Sequence, residues 1–253
     1  MGTSKSVLYL TLVLGLSGCA IKTPHLSISQ WPVEKRASYF SDPSPYRLIV
    51  TPLVDRRPQV EHQGQRPSGK FFLLWNKRVG DYYTSDRIFG ERVNTQLADR
   101  LVAHIRASNA FQDVSLYQGE DNAINPEDAA QLKYIGQKQG GHFVLAGELE
   151  HFYGSQRQQF SMLVLPLYFI NSYSWQNSKG LPWGKTAANF YLCDARNGDI
   201  VWRHRLEASS TLPRDEDSMA QAALESFTKL SEQLTSELRR LPLDKLPDSE
   251  ATN

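Results

Sequence analysis

The feature that most constrains the fold is one apolar stripe near the C-terminus. From Asp215 to Arg240, apolar side chains recur every three or four residues, at positions 219, 223, 227, 230, 234, 238 and 241. This spacing predicts one long amphipathic helix with a single buried face. A helix of this kind gains most of its stability from packing. The rest of the chain must therefore supply a surface to cover the stripe.

Strand patterns precede that helix. Positions 46–54 are apolar and β-branched, positions 187–194 alternate, and Asn197-Gly198 joins them to 200–208 as a strong hairpin signal. Further strands are predicted at 111–117, 142–153 and 160–170, and helices are predicted to begin near Asp86, Pro126 and Asp215. The order β-α-β-α-β-β-β-β-α predicts one α+β domain with a mixed or antiparallel sheet and about three packed helices.

The N-terminus indicates where the protein is located. Lys5 precedes an apolar run, Val7 to Leu16, which is too short to span a bilayer because a spanning helix needs roughly 20 apolar residues. The run ends in Leu16-Ser17-Gly18-Cys19, which resembles the bacterial lipobox. The resemblance implies cleavage before Cys19, lipidation of Cys19 and, with Ala20 following, sorting to the periplasmic face of the outer membrane. An ordinary secreted protein is the alternative.

Four segments follow from this interpretation. Residues 1–18 are the signal peptide, and 19–45 are the lipidated cysteine and a flexible tether rich in proline. Residues 46–240 form the periplasmic α+β domain, and 241–253 form a frayed, disordered tail.

Charge and motif content exclude several classes of protein. The net charge is +1, from 28 basic and 27 acidic residues, so no bulk field favours nucleic acid. Two cysteines and six scattered histidines argue against a disulfide scaffold and a metal site. We find no catalytic or cofactor-binding motif and predict no cofactor and no enzymatic activity. Cys193 is predicted to be a buried, inert thiol rather than a nucleophile.

Four stretches carry a family resemblance. They are 48–53, 101–114 (especially 108–114), 141–149 and 194–202. In this order they resemble a periplasmic family that includes the amino-terminal domain of the Tol-system β-propeller protein, the curli-secretion lipoprotein, and lipoprotein activators of penicillin-binding proteins. The resemblance implies a docking or assembly role at the outer membrane, with an envelope protein or a second copy as partner. It carries over no catalytic residue.

Residues 152–183 are unusually aromatic for that family, with eight aromatic side chains in 32 residues. Trp175, Trp183 and Tyr173 are predicted to lie in an exposed recognition loop. Positions 160–170 are apolar on both faces, which fits a covered central strand, a projecting partner-binding element or a bilayer insertion. Arg56 and Arg57 are further candidates for binding a partner, and a solvated loop is the alternative for them.

A second hypothesis comes from a different class of function. Glu148 and Glu150 lie two apart on a predicted strand and so share one face. With the aromatic segment they suggest a glycan- or peptidoglycan-associated binder or hydrolase. A cleft that joins these glutamates to Trp175 or Trp183 would favour it, whereas carboxylates on an open sheet would favour docking.

Replacing Cys19→Ser is expected to move the protein from the membrane to the soluble periplasmic fraction. A serine hydroxyl cannot receive the thioether-linked lipid. The measurement is fractionation followed by a high-salt wash, with the wild type as control. A variant that still pelleted with membranes would contradict lipid anchoring.

Overall fold

The computed structural model describes residues 27–28, 31, 40–64, 69–72, 75–90, 92–119, 124–163, 176–213 and 219–243. Over these ranges the strands are β1 (Ser44–Val50), β2 (Val54–Asp55), β3 (Gly69–Phe72), β4 (Trp75–Tyr83), β5 (Phe111–Leu116), β6 (Phe143–Leu163), β7 (Gln176–Lys179), β8 (Trp183–Asp194) and β9 (Ile200–Thr211). The helices are α1 (Gln59–Gln63), α2 (Val93–Ser108), α3 (Ala129–Lys138) and α4 (Met219–Arg240), with a 3-10 turn at Asp86–Ile88.

The 21-residue strand β6 organises the sheet. Along one edge it pairs in parallel with β1 and β2, and then antiparallel with β4. Along its other edge it pairs antiparallel with β8 and then with β7. The first half of β6 thus lies in the strand order β5-β1-β6-β8-β9. The prediction of one α+β domain is confirmed, and of the two predicted sheet types, mixed or antiparallel, the structure has the mixed one.

Helices cover the sheet on both faces. One face carries the main core, where Phe143, Leu145 and Phe190 of the sheet belong to the same apolar cluster as Leu101 of α2 and Phe227 of α4. The opposite face carries a smaller core under α3. Its members are Ile49, Tyr117, Ile124, Leu132, Ile135, Val144, Ala146, Cys193 and Ala195. Because α3 is short, it covers only the part of this face near the start of β6.

Two glycines let α4 lie directly on the sheet. A Cβ atom at Gly154 of β6 would collide with the backbone carbonyl of Met219, and one at Gly184 of β8 would collide with that of Ala222. The first turn of α4 therefore packs backbone against backbone on the two strands. This close approach allows the predicted apolar stripe to reach the core, where Phe227, Leu230 and Leu234 are fully buried.

Strand β6 differs from the sequence-based expectation. The sequence predicts separate strands at 142–153 and 160–170, because polar residues 155–159 interrupt the apolar pattern. In the structure one strand runs through this polar stretch, since β4 pairs with 155–163 and β8 and β7 flank the other edge. Hydrogen bonding to strands on both sides keeps these polar residues extended, although the sequence has no alternating apolar pattern there. Residues 164–170 lie outside the described ranges, so the three interpretations of 160–170 stay open there.

Other element boundaries also shift. The stretch from Asp86 begins with the 3-10 turn, and α2 starts only at Val93. The helix predicted to begin near Pro126 starts at Ala129, and its cap is Asp128, whose side chain accepts from the Gln131 N–H. The short helix α1 follows Arg56 and Arg57, in a stretch for which the sequence predicts no helix. These segments are short, so long-range contacts decide their conformation.

The predicted tether and tail are partly packed. Ile28 is fully buried in the main core, and β1 begins at Ser44 rather than Tyr46. The Phe40 N–H donates to the Ser108 carbonyl at 2.9 Å. At the C-terminus, Leu243 is buried. Isolated apolar residues among prolines carry no periodic signal, which is why the sequence pattern did not reveal these contacts.

Replacing Phe227→Ala is expected to lower the free energy of unfolding by about 3 to 5 kcal/mol. Phe227 is fully buried and meets the Phe152 ring edge-on at 6.4 Å, so truncation leaves a cavity. Chemical denaturation measures the change. Gln233→Ala is the matched control, because Gln233 lies on the exposed side of the same helix. Equal stability of the two variants would contradict the packing of α4.

Candidate functional site

One edge of β6 has a gap between its strand partners. Strand β2 pairs as far as Leu149, and β4 begins to pair at Ser155. Side chains of neighbouring segments fill the interval. Glu61 of α1 accepts the Phe152 N–H at 3.0 Å, and the Thr84 hydroxyl accepts the Gly154 N–H at 2.9 Å. The buried backbone groups left by the gap are thereby satisfied.

Arg57 joins this gap to the surrounding loops. Its side chain is only 1% exposed, and its guanidinium donates to Asp55 at 2.9 and 2.7 Å and to Asp86 at 2.9 and 3.0 Å. His62 Nδ1 lies 2.8 Å from Asp86 Oδ2. Burial alone would raise the pKa of Asp55, but the hydrogen bonds and charge of Arg57 outweigh burial and hold that pKa below its usual value. We call Asp55, Arg57, His62 and Asp86 the arginine cluster.

The prediction that Arg57 binds a partner is wrong. Arg57 lies in the interior with both ends of its guanidinium bonded to carboxylates of its own chain, so it is not available to a partner. The neighbouring Arg56 is 64% exposed and makes one long ion pair, 3.4 Å, with Glu148. Arg56 alone keeps the predicted accessibility. Alternation along the chain turns one arginine inward and the other outward.

An aromatic group lies on the sheet face opposite α4. A bulge between Leu149 and His151 shifts the register of β6 against β8. After the bulge Phe152 faces the main core, so the next residue, Tyr153, faces the opposite side of the sheet. The Tyr153 ring is met edge-on by Tyr83 at 5.1 Å and Trp183 at 5.5 Å. All three side chains are half-buried. We call Tyr83, Tyr153 and Trp183 the aromatic platform.

The Tyr153 hydroxyl of the platform is not ionised near neutral pH. Burial, followed by the nearby Tyr83 and Glu61, raises the pKa of Tyr153 to about 12. The phenol therefore stays protonated. Strands β6 and β8 carry Tyr153 and Trp183, so backbone pairing on both sides positions the two rings. Trp183 therefore lies in a strand and is half-buried, which corrects the prediction that it lies in an exposed loop.

Ion pairs occupy the sheet beside the platform. Glu150 bonds Arg205 at 2.8 Å and Asn189 at 2.8 Å, and Glu207 bonds Lys185 at 2.8 Å. Burial would raise the pKa of Glu150, but the hydrogen bonds from Arg205 and Asn189 outweigh it and lower that pKa. This carboxylate is held ionised rather than poised to deliver a proton.

The cleft that would favour the glycan-binding hypothesis is not formed by the described candidates. Glu148 pairs with Asn189, whereas Trp183 pairs with Ser155, seven residues further along β6. That separation is about 23 Å along the strand. Glu148 is also close to basic Arg56, and Glu150 to basic Arg205. These carboxylates belong to the ion-paired sheet surface, as the docking hypothesis expects.

Three predicted site residues lie outside the described ranges. They are Cys19, Tyr173 and Trp175, and their roles stay predictions. Cys193 is fully buried, as predicted, and burial together with Asp194 and Asp199 raises the pKa of its thiol to about 12. In the described residues no group of histidine, cysteine and acidic side chains could hold a metal ion. No described helix is long and apolar enough to cross a membrane.

Sequence reasoning missed most of the arginine cluster and Tyr83. Asp86 lies 29 residues after Arg57, and no local pattern joins the two. The one available signal was the density of charged residues in 55–62, which a solvated loop explains equally well. An open cavity of about 550 Å³ was also not expected. It lies beyond the ends of β1 and β5, beside Asn94 and Thr95 of α2, and contains no predicted partner-binding residue.

Comparisons with known proteins give low similarities. No protein-family profile and no curated protein matches the sequence. Among solved structures, a PelC dodecamer from Paraburkholderia phytofirmans is 14% identical, covering 78% of this chain and 93% of that chain, with a TM-score of 0.37. Protein XCC0632 from Xanthomonas campestris is 12% identical, covering 81% and 88%, with a TM-score of 0.41. Lipoprotein GNA1162 from Neisseria meningitidis is 12% identical, covering 77% and 98%, with a TM-score of 0.36.

Replacing Arg57→Met is expected to destabilise the protein by about 3 kcal/mol, because Asp55 and Asp86 lose a shared buried cation. Arg56→Met is the matched control. It removes an exposed ion pair and should change stability by less than about 1 kcal/mol. Chemical denaturation at neutral pH measures both. Equal effects of the two substitutions would show that the arginine cluster does not stabilise β6 at the gap between its strand partners.

Proposed function

We propose that this protein is a lipid-anchored accessory or assembly lipoprotein of the cell envelope. It acts without catalysis, by docking a protein partner at the periplasmic face of the outer membrane. The observation that carries the proposal is the aromatic platform, three half-buried rings on the sheet face opposite α4. Tryptophan and tyrosine are enriched among the residues that dominate binding at protein interfaces.

Pre-organisation makes the platform suitable for docking. Trp183 is flanked by Ser155 of β6 and Thr211 of β9 in the sheet, and its ring packs edge-on against Tyr153. A partner would therefore bind rings that have already lost most of their conformational freedom. Binding to an ordered surface costs less entropy than binding to a loop that must first be ordered.

The lipobox resemblance supports the location of that surface. Cys19 would carry the lipid, and the buried Ile28 marks where the chain has joined the folded body. Nine residues span at most about 32 Å when extended. The body would then stay within that distance of the membrane surface, and its partner would be a component of the same membrane or one that approaches it closely.

The surroundings of the acidic residues support a role without catalysis. Glu148 and Glu150 both have basic neighbours, and the pKa of Glu150 is lowered. A general acid near neutral pH would need a raised pKa. The alternative, a glycan- or peptidoglycan-associated protein, would use the same rings to contact a sugar and is separated by the experiment below.

Replacing Trp183→Ala should weaken partner capture roughly thirtyfold, as expected for an anchor worth about 2 kcal/mol. The measurement is recovery of cross-linked envelope proteins with the full lipidated chain, beside a thermal melt. Tyr134→Ala is the matched control, since Tyr134 is 56% exposed on α3, away from the platform.

Two outcomes would contradict the proposal. Unchanged partner recovery with Trp183→Ala would show that the platform is incidental. Loss of co-sedimentation with peptidoglycan sacculi, with protein cross-links unchanged, would assign the platform to the glycan-binding alternative.

A further inference from the structure

Strand β9 forms one edge of the sheet. Over the ranges that the structure describes, its twelve residues, Ile200–Thr211, pair only with β8. A free strand edge presents a row of unpaired N–H and C=O groups that can template another strand. At this length the row extends for about 40 Å.

Two hydrogen bonds show which backbone groups face outward. The Leu212 N–H donates to the Pro182 carbonyl, toward β8. Lys229 Nζ instead donates to the Ser209 carbonyl from outside the ladder, at 3.3 Å. Because backbone groups alternate in direction along an antiparallel strand, the odd-numbered residues from 203 to 209 turn their N–H and C=O groups away from β8.

The side chains of the same odd-numbered residues carry charges in a definite order. Arg203, Arg205 and Glu207 project from the face opposite α4, whereas Leu206 and Ala208 project into the main core. Arg205 and Glu207 are 48% and 43% exposed. The edge thus combines outward-facing backbone groups with accessible side chains of both signs.

We propose that a second copy of this chain pairs with β9, antiparallel, about a two-fold axis at Leu206. In this register Arg205 lies opposite the partner's Glu207, and Glu207 lies opposite the partner's Arg205. Residues 205 and 207 both turn their backbone groups outward, so each such pair exchanges two N–H···O=C bonds across the interface. The two sheets become one continuous sheet.

The charge order selects this register. An axis at Arg205 or Glu207 would place that residue opposite itself, and an axis at His204 would place Arg203 opposite Arg205. Like charges directly opposite one another destabilise a strand pair, and opposite charges stabilise it. Leu206 also lies at the middle of β9, so this axis gives the longest overlap. The self-complementary order favours a second copy over an unrelated extended peptide.

The test uses two charge variants of the full lipidated chain, each co-expressed with two different affinity tags. Glu207→Arg makes both positions basic, and Arg205→Glu makes both acidic. Either variant should recover its own second copy at least tenfold less than the wild type does. Co-expression of the Glu207→Arg chain with the Arg205→Glu chain restores opposite charges at every facing pair and should restore recovery.

Matched controls separate pairing from misfolding and from the docking proposal. Arg240→Glu reverses a charge that is 74% exposed at the end of α4 and should leave self-recovery unchanged. Trp183→Ala should also leave it unchanged, since the ring is not part of the β9 edge. Wild-type copies that do not recover one another, full self-recovery of either charge variant, or a mixed pair that fails to recover would overturn the proposal.

Discussion

The buried guanidinium of Arg57 is the interaction on which the rest of the structure depends. The long strand β6 takes two sets of partners along one edge, and the change from one set to the other leaves backbone groups that none of the described strands pairs. Arg57, Glu61 and Thr84 lie at this interval. Unpaired buried backbone groups cost free energy, so a continuous β6 requires these side chains.

The continuity of β6 brings the three rings of the aromatic platform together. Tyr83 comes from β4, which pairs with the second half of β6, and Trp183 comes from β8, which pairs mainly with the first half. Tyr153 lies between them at the gap. A break in β6 would separate the rings by uncoupling the two halves of the sheet. The arginine cluster therefore stabilises the strand that carries the proposed docking surface, and it is not itself part of that surface.

The two faces of the sheet have different physical roles. One face is closed by α2 and α4, and the collision that a Cβ at Gly154 or Gly184 would cause shows how closely the backbone of α4 approaches. The other face is covered by α3 only near the start of β6, and beyond it lie ion pairs and the platform. Stability thus comes mainly from one side of the sheet, and the proposed contacts with other molecules lie on the opposite side and at the β9 edge.

Periodicity along the sequence was sufficient to predict the α+β class, the β8–β9 hairpin at Asn197-Gly198 and the buried stripe of α4, but it left open whether the sheet is mixed or antiparallel. These features depend on residues close together in the chain, where spacing alone tells an inward from an outward position. The lipobox resemblance at Cys19 is likewise a local pattern.

Only the tertiary structure decided that β6 runs through a polar stretch, that Ile28 enters the core and that Arg57 is buried while Arg56 is exposed. Each of these depends on a partner far away in the sequence: β4 and β8 for β6, α2 for Ile28, and Asp86 for Arg57. Local patterns specify which residues favour burial, but the pairing of distant segments determines which polar groups can be buried with them.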